Sequence, residues 1–303
     1  MKTLSRRRFL VASGGVGAAA IASNWLPRRA YSNPLGKPIG IQLYAVNAGI
    51  KENPAGTLKA IKDIGFGEVE TAGFGGLSAK EFRKLLDDNG LACPSAHLAF
   101  DLANLGATFE DAHALGAHYA TSGNLRPSLH PPLVNAQRAM TLDEAKRSAE
   151  VANKIGEKAK QAGLQYCYHN HDGELVDQGG GATGYDLMLR ETDPELVKFE
   201  IDCGWMVLGE RNPIDYFKKY PNRFPLIHVK DFLPPQGKGA VDGKGEDHPG
   251  AELGHGMIDY KPIFAAAKKA GLQHYFAEQE GPFVRMSQLE AAAQAYAYLH
   301  AMS

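Results

Sequence analysis

Strand-like and helix-like segments alternate without a break from residue 38 to residue 301. Runs rich in β-branched and aromatic residues at 38–46, 66–72, 92–99, 118–123, 165–171, 197–203, 225–231 and 274–279 read as eight strands. Apolar residues at helical spacing follow them near 54–64, 78–89, 103–116, 142–162, 184–191, 212–220, 259–270 and 286–301. Ser78-Ala79-Lys80-Glu81 and Thr141-Leu142-Asp143-Glu144 have the form of capping boxes and mark two helix starts. Asn89-Gly90 and Gly163 are helix stops, because glycine adopts the left-handed conformation that ends a helix. Eight successive βα units predict a single closed (β/α)8 barrel of the TIM class rather than an open doubly wound sheet. No Gly-x-Gly-x-x-Gly follows the first strand and no P-loop occurs, so no motif supports nucleotide binding. Beyond the alternation itself there is no internal repeat.

The first residues do not belong to this pattern. Ser5-Arg6-Arg7-Arg8-Phe9-Leu10 precedes a run of small and apolar residues from Val11 to Ala22. That combination reads as a twin-arginine export signal; the alternative is a basic amphipathic tail. The run is too short and too glycine-rich for a membrane span. Ala30-Tyr31-Ser32 offers small residues to a signal peptidase, which places cleavage after Ser32 and divides the chain into a 1–32 signal and a 33–303 barrel. The expected location is the periplasm or otherwise outside the cytoplasm, with the twin-arginine machinery as a partner and no membrane span after cleavage.

Cleavage would leave 271 of the 303 residues, close to the ~250 typical of one (β/α)8 barrel. The leader holds six of the 33 Lys and Arg and no acid, so the remainder carries 27 basic against 34 acidic residues. Without a basic stripe, nucleic acid is not an expected partner. The cysteines are Cys93, Cys167 and Cys203, all inside predicted strands, and read as buried free thiols rather than a disulfide pair. Residues 124–140 and 233–255 are loop-like, rich in Pro, Ser, Asn, Gly, Lys and Asp, and follow predicted strands. They are expected over the barrel mouth as lids or binding loops, with a surface insertion as the other reading of 236–250.

Ionisable residues gather where four of the apolar runs stop. These places are Tyr168-His169-Asn170-His171-Asp172-Gly173-Glu174, Glu200-Ile201-Asp202-Cys203-Gly204-Trp205, His228-Val229-Lys230-Asp231 and Glu278-Gln279-Glu280. In a parallel barrel such ends converge on one mouth, the face that carries active sites. His169, Asp202, His228 and Glu278 come one from each of strands five to eight, a ring of N and O donors suited to a divalent cation. For each of them the alternative is a hydrogen-bonded structural residue. Asp202 and Glu278 follow strongly apolar strands and need a partner if buried. His171 and Glu174 lie just past the strand, as ligands, substrate-binding groups or loop caps. Side chains alternate along a strand, so Lys230 points with His228 into the mouth, to neutralise an oxyanion or bind a sugar hydroxyl; otherwise it is a surface lysine. Glu70 and His97 end strands two and three and close the opposite side, and Glu280 extends the eighth. Trp205 and Tyr44 read as apolar walls for a sugar ring or as ordinary barrel packing.

Tyr168-His169-Asn170-His171-Asp172, Asp202-Cys203-Gly204-Trp205, His228-Val229-Lys230-Asp231, Gly254-His255-Gly256-Met257-Ile258-Asp259 and Glu278-Gln279-Glu280 together resemble the xylose isomerase-like (β/α)8 superfamily, the group often labelled sugar phosphate isomerase/epimerase. The resemblance covers residues 37–301 and is specific for the superfamily rather than for a substrate. It implies a divalent metal, often Mn, Mg, Co or Zn, held by Glu, Asp, His and Glu from strands five to eight. Asp202, His228 and Glu278 fall on three of these positions. His169 stands where many members have the first glutamate. In the epimerases that glutamate and the last one form the acid/base pair, so a two-glutamate proton shuttle does not carry over.

The expected function is that of an exported, divalent-metal-dependent sugar isomerase or epimerase. It would move a proton next to a carbonyl through a metal-stabilised enediolate. Glu278 would ligate and move the proton, and His169 or Glu174 would be the second acid/base group. One alternative is a metal-dependent lyase or hydratase on a keto-sugar or keto-glycoside, which shares the first step and suits an exported enzyme. A non-catalytic carbohydrate-binding barrel is another, and the set of ionisable residues argues against it. An endonuclease would want more metal-ligating His and Asp and a basic groove.

Overall fold

The computed structural model describes residues 33, 35–129, 139–234, 250–281, 283 and 286–302. The expected signal, residues 1–32, and most of the two long loops, residues 130–138 and 235–249, lie outside them.

The eight expected strands are present: β1 Gly40–Gln42, β2 Glu68–Ala72, β3 Ala92–His97, β4 Tyr119–Ser122, β5 Gln165–His169, β6 Val197–Asp202, β7 Leu226–Val229 and β8 His274–Ala277. All pair in parallel and close into a barrel in the order β1-β8-β7-β6-β5-β4-β3-β2. The helices are α1 Asn47–Glu52, α2 Pro54–Ile64, α3 Ala79–Asp88, α4 Leu105–Leu115, α5 Leu142–Gln161, α6 Gly184–Glu191, α7 Cys203–Leu208, α8 Pro213–Lys219, α9 Tyr260–Lys269 and α10 Gln288–Ala301. Both expected capping boxes form, at Ser78 with Glu81 and at Thr141 with Glu144, and Ser287 with Glu290 adds a third. Among the described residues no helix is long and apolar enough to cross a membrane.

All eight strands are shorter than the sequence pattern suggests, and at the first and sixth the local cause is visible. The first stops at Gln42, whose side chain accepts from Tyr44 N (2.9 Å) and turns the chain into a 3-10 helix, Leu43–Val46. Tyr44, expected as a wall of the mouth, is 48% exposed on that turn. The sixth stops at Asp202, and Cys203 begins α7 instead of ending a strand. The segment after β7 leaves the barrel as well. Asp231–Phe232 pairs antiparallel with Gly250–Ala251 as a separate two-stranded ribbon.

Alternation along each strand divides the core in two. Outward residues such as Ile41, Val69, Ala96, Tyr166, Phe199, Ile227 and Tyr275 pack in one cluster with helix residues such as Leu58, Phe82, Ile155 and Phe264. Each large apolar side chain buried there contributes roughly 1.5–3 kcal/mol. Inward residues Tyr119, Cys167, Leu226 and Phe276 form a separate apolar plug inside the barrel. A Cβ on Gly40 would sit 2.5 Å from Phe276 Cδ1, so glycine there makes room for the Phe276 ring of the plug. The next inward residues toward the C-terminal ends are Thr121, His169, His228 and Glu278, and the interior changes from apolar to ionisable within one step of two residues. The three cysteines are buried free thiols, as expected, and burial, then the Glu70 carboxylate, pushes the Cys93 thiol up to about 12.

Candidate active site

His228 stands at the centre of the ionisable layer. Asp202 is its partner in the β6–β7 register, and Phe276 in the β7–β8 register, two residues before Glu278. His228 Nδ1 lies 3.0 Å from Glu278 Oε2. Lys230, two residues on, reaches the same carboxylate at 2.8 Å, with Asp202 Oδ2 at 3.2 Å and Glu280 Oε1 at 2.6 Å. Its ammonium also lies 4.9 Å from the centre of the Trp205 ring, the wall the sequence suggested. Lys230 is 1% exposed, so it is not a surface lysine.

The local backbone holds Lys230 in place. Tyr260 Oη donates to Lys230 O (2.6 Å) and accepts from Lys230 N (2.8 Å). Asp231 turns the other way, and its carboxylate accepts from the N–H groups of Phe232, Gly254, Gly256 and Ile258. Gly254 has φ +84°, a conformation costly for any side-chain-bearing residue. Asp202 Oδ1 accepts from Trp205 N at the start of α7 (2.9 Å), and Asn170 Oδ1 accepts from Asp202 N (3.0 Å).

A second group lies on the other side of the His228 ring. His228 Nε2 is 2.7 Å from Glu70 Oε2 and 3.2 Å from Glu200 Oε2. His97 Nε2 is 3.2 Å and 2.7 Å from the same two oxygens. His169 Nδ1 is 3.2 Å from Glu200 Oε2, off the line of a hydrogen bond. Gln42 Nε2 donates to Glu70 Oε2 (3.0 Å) and Ser95 Oγ to Glu70 Oε1.

Burial and mutual charge set the ionisation of these groups. Burial pushes the Lys230 pKa down, but Asp202, Glu278 and Glu280 outweigh it and hold the ammonium well above the usual range. Burial would raise Glu278, yet Lys230 and His228 hold it well below. Glu200 is likewise held well below, against its burial, by His228, His169 and His97. His228 is held well above, against burial, by Glu200 and Glu278. His169 is pushed well below the histidine range by burial and then by His228. Burial, then Glu200, raises Glu70, and burial raises Asp202 against the pull of Lys230.

The donor set fits a divalent ion. Donor atoms of Asp202, His228 and Glu278 lie within 4.8 Å of one another. Asp202 Oδ2 is buried and, among the described residues, makes no hydrogen bond beyond its ion pair with Lys230 at 3.2 Å. Two carboxylates and an imidazole are ligands that Mn, Mg, Co and Zn accept. The structure therefore brings together three of the four expected ligands. His169, the fourth, falls instead with His97, Glu200 and His228, whose donor atoms also lie within 4.8 Å of one another.

Other expected site residues have different places. Glu174 is buried and takes Tyr168 Oη at 2.5 Å and His171 N at 3.2 Å, which makes it the cap of its loop. The His171 ring lies 4.8 Å from that of His169 and 6.5 Å from that of Trp205, on the rim. Glu70 is fully buried beneath the mouth rather than on its edge. Glu200, Gln42 and Ser95 were absent from the sequence-derived site. Glu200 carried a readable signal, because it lies two residues before Asp202 and so on the same face of the strand. Two recesses flank the centre. One of 370 Å³ is lined by Asn124, Arg126, Tyr168 and His171, and one of 590 Å³ by Phe74, His97, Phe100 and Asp101.

The sequence pattern of a family described as xylose isomerase-like TIM barrel matches residues 58–300. The inosose dehydratase of Lacticaseibacillus casei is 30% identical over 204 residues, 62% of this chain and 66% of that enzyme. The chain thus spans just under two thirds of the length of that relative. The inosose dehydratase of Geobacillus thermodenitrificans is 26% identical over 245 residues, 70% of this chain and 80% of that one. A solved sugar phosphate isomerase/epimerase from Parabacteroides distasonis superposes with a TM-score of 0.67 at 26% identity, over 87% of this chain and 94% of that one.

Proposed function

This chain belongs to the xylose isomerase-like TIM barrel family, and from that premise we propose a divalent-metal-dependent enzyme that dehydrates a keto-sugar or keto-polyol. The carrying observation is the convergence of Asp202, His228, Glu278 and Lys230 within hydrogen-bond reach in a buried barrel mouth. The similarity to two inosose dehydratases supports the choice of dehydration.

Asp202, His228 and Glu278 would hold the ion. Once bound, it would act as a Lewis acid on adjacent carbonyl and hydroxyl oxygens. Glu278, held ionised by Lys230 and His228, takes the proton from the carbon next to the carbonyl, and the electron pair moves into the enediolate. The Lys230 ammonium stabilises the developing oxyanion, since a fixed charge in a water-excluded site does so without reorganising. Departure of the neighbouring hydroxyl with a returned proton, as water, completes the elimination. Glu174 is not an acid/base group in this scheme, because Tyr168 and His171 occupy its carboxylate.

Isomerisation or epimerisation is the second reading. It shares the proton abstraction and differs in returning the proton to carbon. The likeness to the Parabacteroides isomerase/epimerase favours it. Incubation with inosose and with free keto-hexoses, each with Mn, Mg, Co and Zn, separates the two. Dehydration yields a product lighter by one water, whereas a product of unchanged mass supports the second reading and sinks the first. The reading includes export through the 1–32 signal, which suits free rather than phosphorylated sugars.

A further inference from the structure

We propose that His97, His169, Glu200 and His228 form a second cation position on the other side of the His228 ring from the first, inner in that Glu200 lies two residues before Asp202 on β6, which takes a nitrogen-preferring divalent ion such as Zn²⁺ or Co²⁺. Glu200 Oε2 lies 2.7 Å from His97 Nε2, 3.2 Å from His169 Nδ1 and 3.2 Å from His228 Nε2. Ligand atoms around a tetrahedral ion with bonds of ~2.1 Å are about 3.4 Å apart, and the four donor atoms of this set all lie within 4.8 Å of one another. Hydrogen bonds account for His97 with Glu200 (2.7 Å) and His228 with Glu70 (2.7 Å), but among the described residues His169 Nδ1 and Glu200 Oε1 are buried with no hydrogen bond.

The surroundings suit such an ion. His169, Glu200 and His228 are all but inaccessible to solvent. Glu70, fixed by Gln42 and Ser95, approaches the same Nε2 atoms of His97 and His228 and so borders the position with a further carboxylate. Three imidazoles and one carboxylate favour zinc or cobalt, whereas the outer set of two carboxylates and one imidazole suits manganese or magnesium. The two positions use opposite nitrogens of one ring. Nε2 faces the inner set, and Nδ1 faces Glu278. With the outer position empty, an inner ion leaves Nδ1–H to donate to Glu278 (3.0 Å), the carboxylate–histidine–metal arrangement that fixes a ligand's tautomer.

X-ray absorption on the full chain, stripped with chelator and given one equivalent of Zn²⁺, counts the imidazoles. Three bound imidazoles are expected; a single one, or none, overturns the inner position. A variant carrying Asp202→Asn and Glu278→Gln provides the second arm, with its fold checked by circular dichroism. It should keep Zn²⁺ within about threefold of the wild-type affinity, while His97→Ala with Glu200→Gln should weaken Zn²⁺ by at least ~100-fold. Loss of Zn²⁺ from the Asp202→Asn, Glu278→Gln variant overturns the inner position and leaves the outer reading standing. Retention of both Zn²⁺ and Mn²⁺ in that variant supports the inner position and removes the outer one.

Discussion

Lys230 Nζ and Glu278 Oε2 lie 2.8 Å apart at the closed end of the barrel mouth, and the same ammonium neutralises Asp202 and Glu280. A buried cation shared by three carboxylates does more than bind substrate. It keeps the acidic cluster foldable before any metal arrives, because an uncompensated buried charge is strongly destabilising.

Lys230→Met should therefore lower the stability of the metal-free protein by about 3–5 kcal/mol. Saturating Mn²⁺ should restore more stability to the variant than it adds to the wild type. Urea unfolding with and without metal checks both statements.

Asp202→Ala and Glu278→Ala should each weaken Mn²⁺ binding by at least about tenfold and remove activity, since each deletes one of three donors. Calorimetric titration with Mn²⁺ measures the loss. Unchanged Mn²⁺ affinity in both variants would contradict the outer site.

Gly156 tests the fold rather than the chemistry. Glycine to alanine inside a helix usually stabilises by about 1 kcal/mol. Here a Cβ would sit 2.5 Å from Leu196 O, on the segment that leads into β6. Gly156→Ala should destabilise by about 1–3 kcal/mol, measured as a lowered denaturation midpoint.

Replacing Arg6, Arg7 and Arg8 with lysine should leave precursor in the cytoplasm, because the receptor reads the arginine pair rather than charge alone. Normal appearance of the triple variant in the periplasmic fraction would remove the export reading.

The barrel was legible because local signals agreed with one another. Ser78 and Thr141 announced their helices through their own capping geometry. Residues 203–208 misled for a physical reason: a short apolar run carries no period that separates strand from helix, and the break depends on Asp202 capping Trp205 N. Asp202, His228, Lys230 and Glu278 stood out as ionisable groups at the ends of apolar strands. Glu200 stood out only with its segment, although its place two residues before Asp202 puts it on the same face of the strand. Glu70 and His97 were placed side by side at neighbouring strand ends, but the meeting of His97 with Glu200 was not readable. It joins residues 103 positions apart and depends on β2–β3 pairing that shifts register between Glu68 and Glu70.

Solvent deuterium exchange at the carbon next to the carbonyl tests the central claim most directly. Inosose or the keto-sugar that turns over is incubated with metal-loaded protein in deuterated water and followed by proton NMR. Deuterium should enter that carbon, in substrate or product, at a rate that falls by at least ~100-fold in Glu278→Ala. Turnover with the original proton lost but the rate unchanged in that variant would contradict the assignment of this residue. Tight binding with no exchange and no product under Mn, Mg, Co or Zn would contradict catalysis by this site altogether.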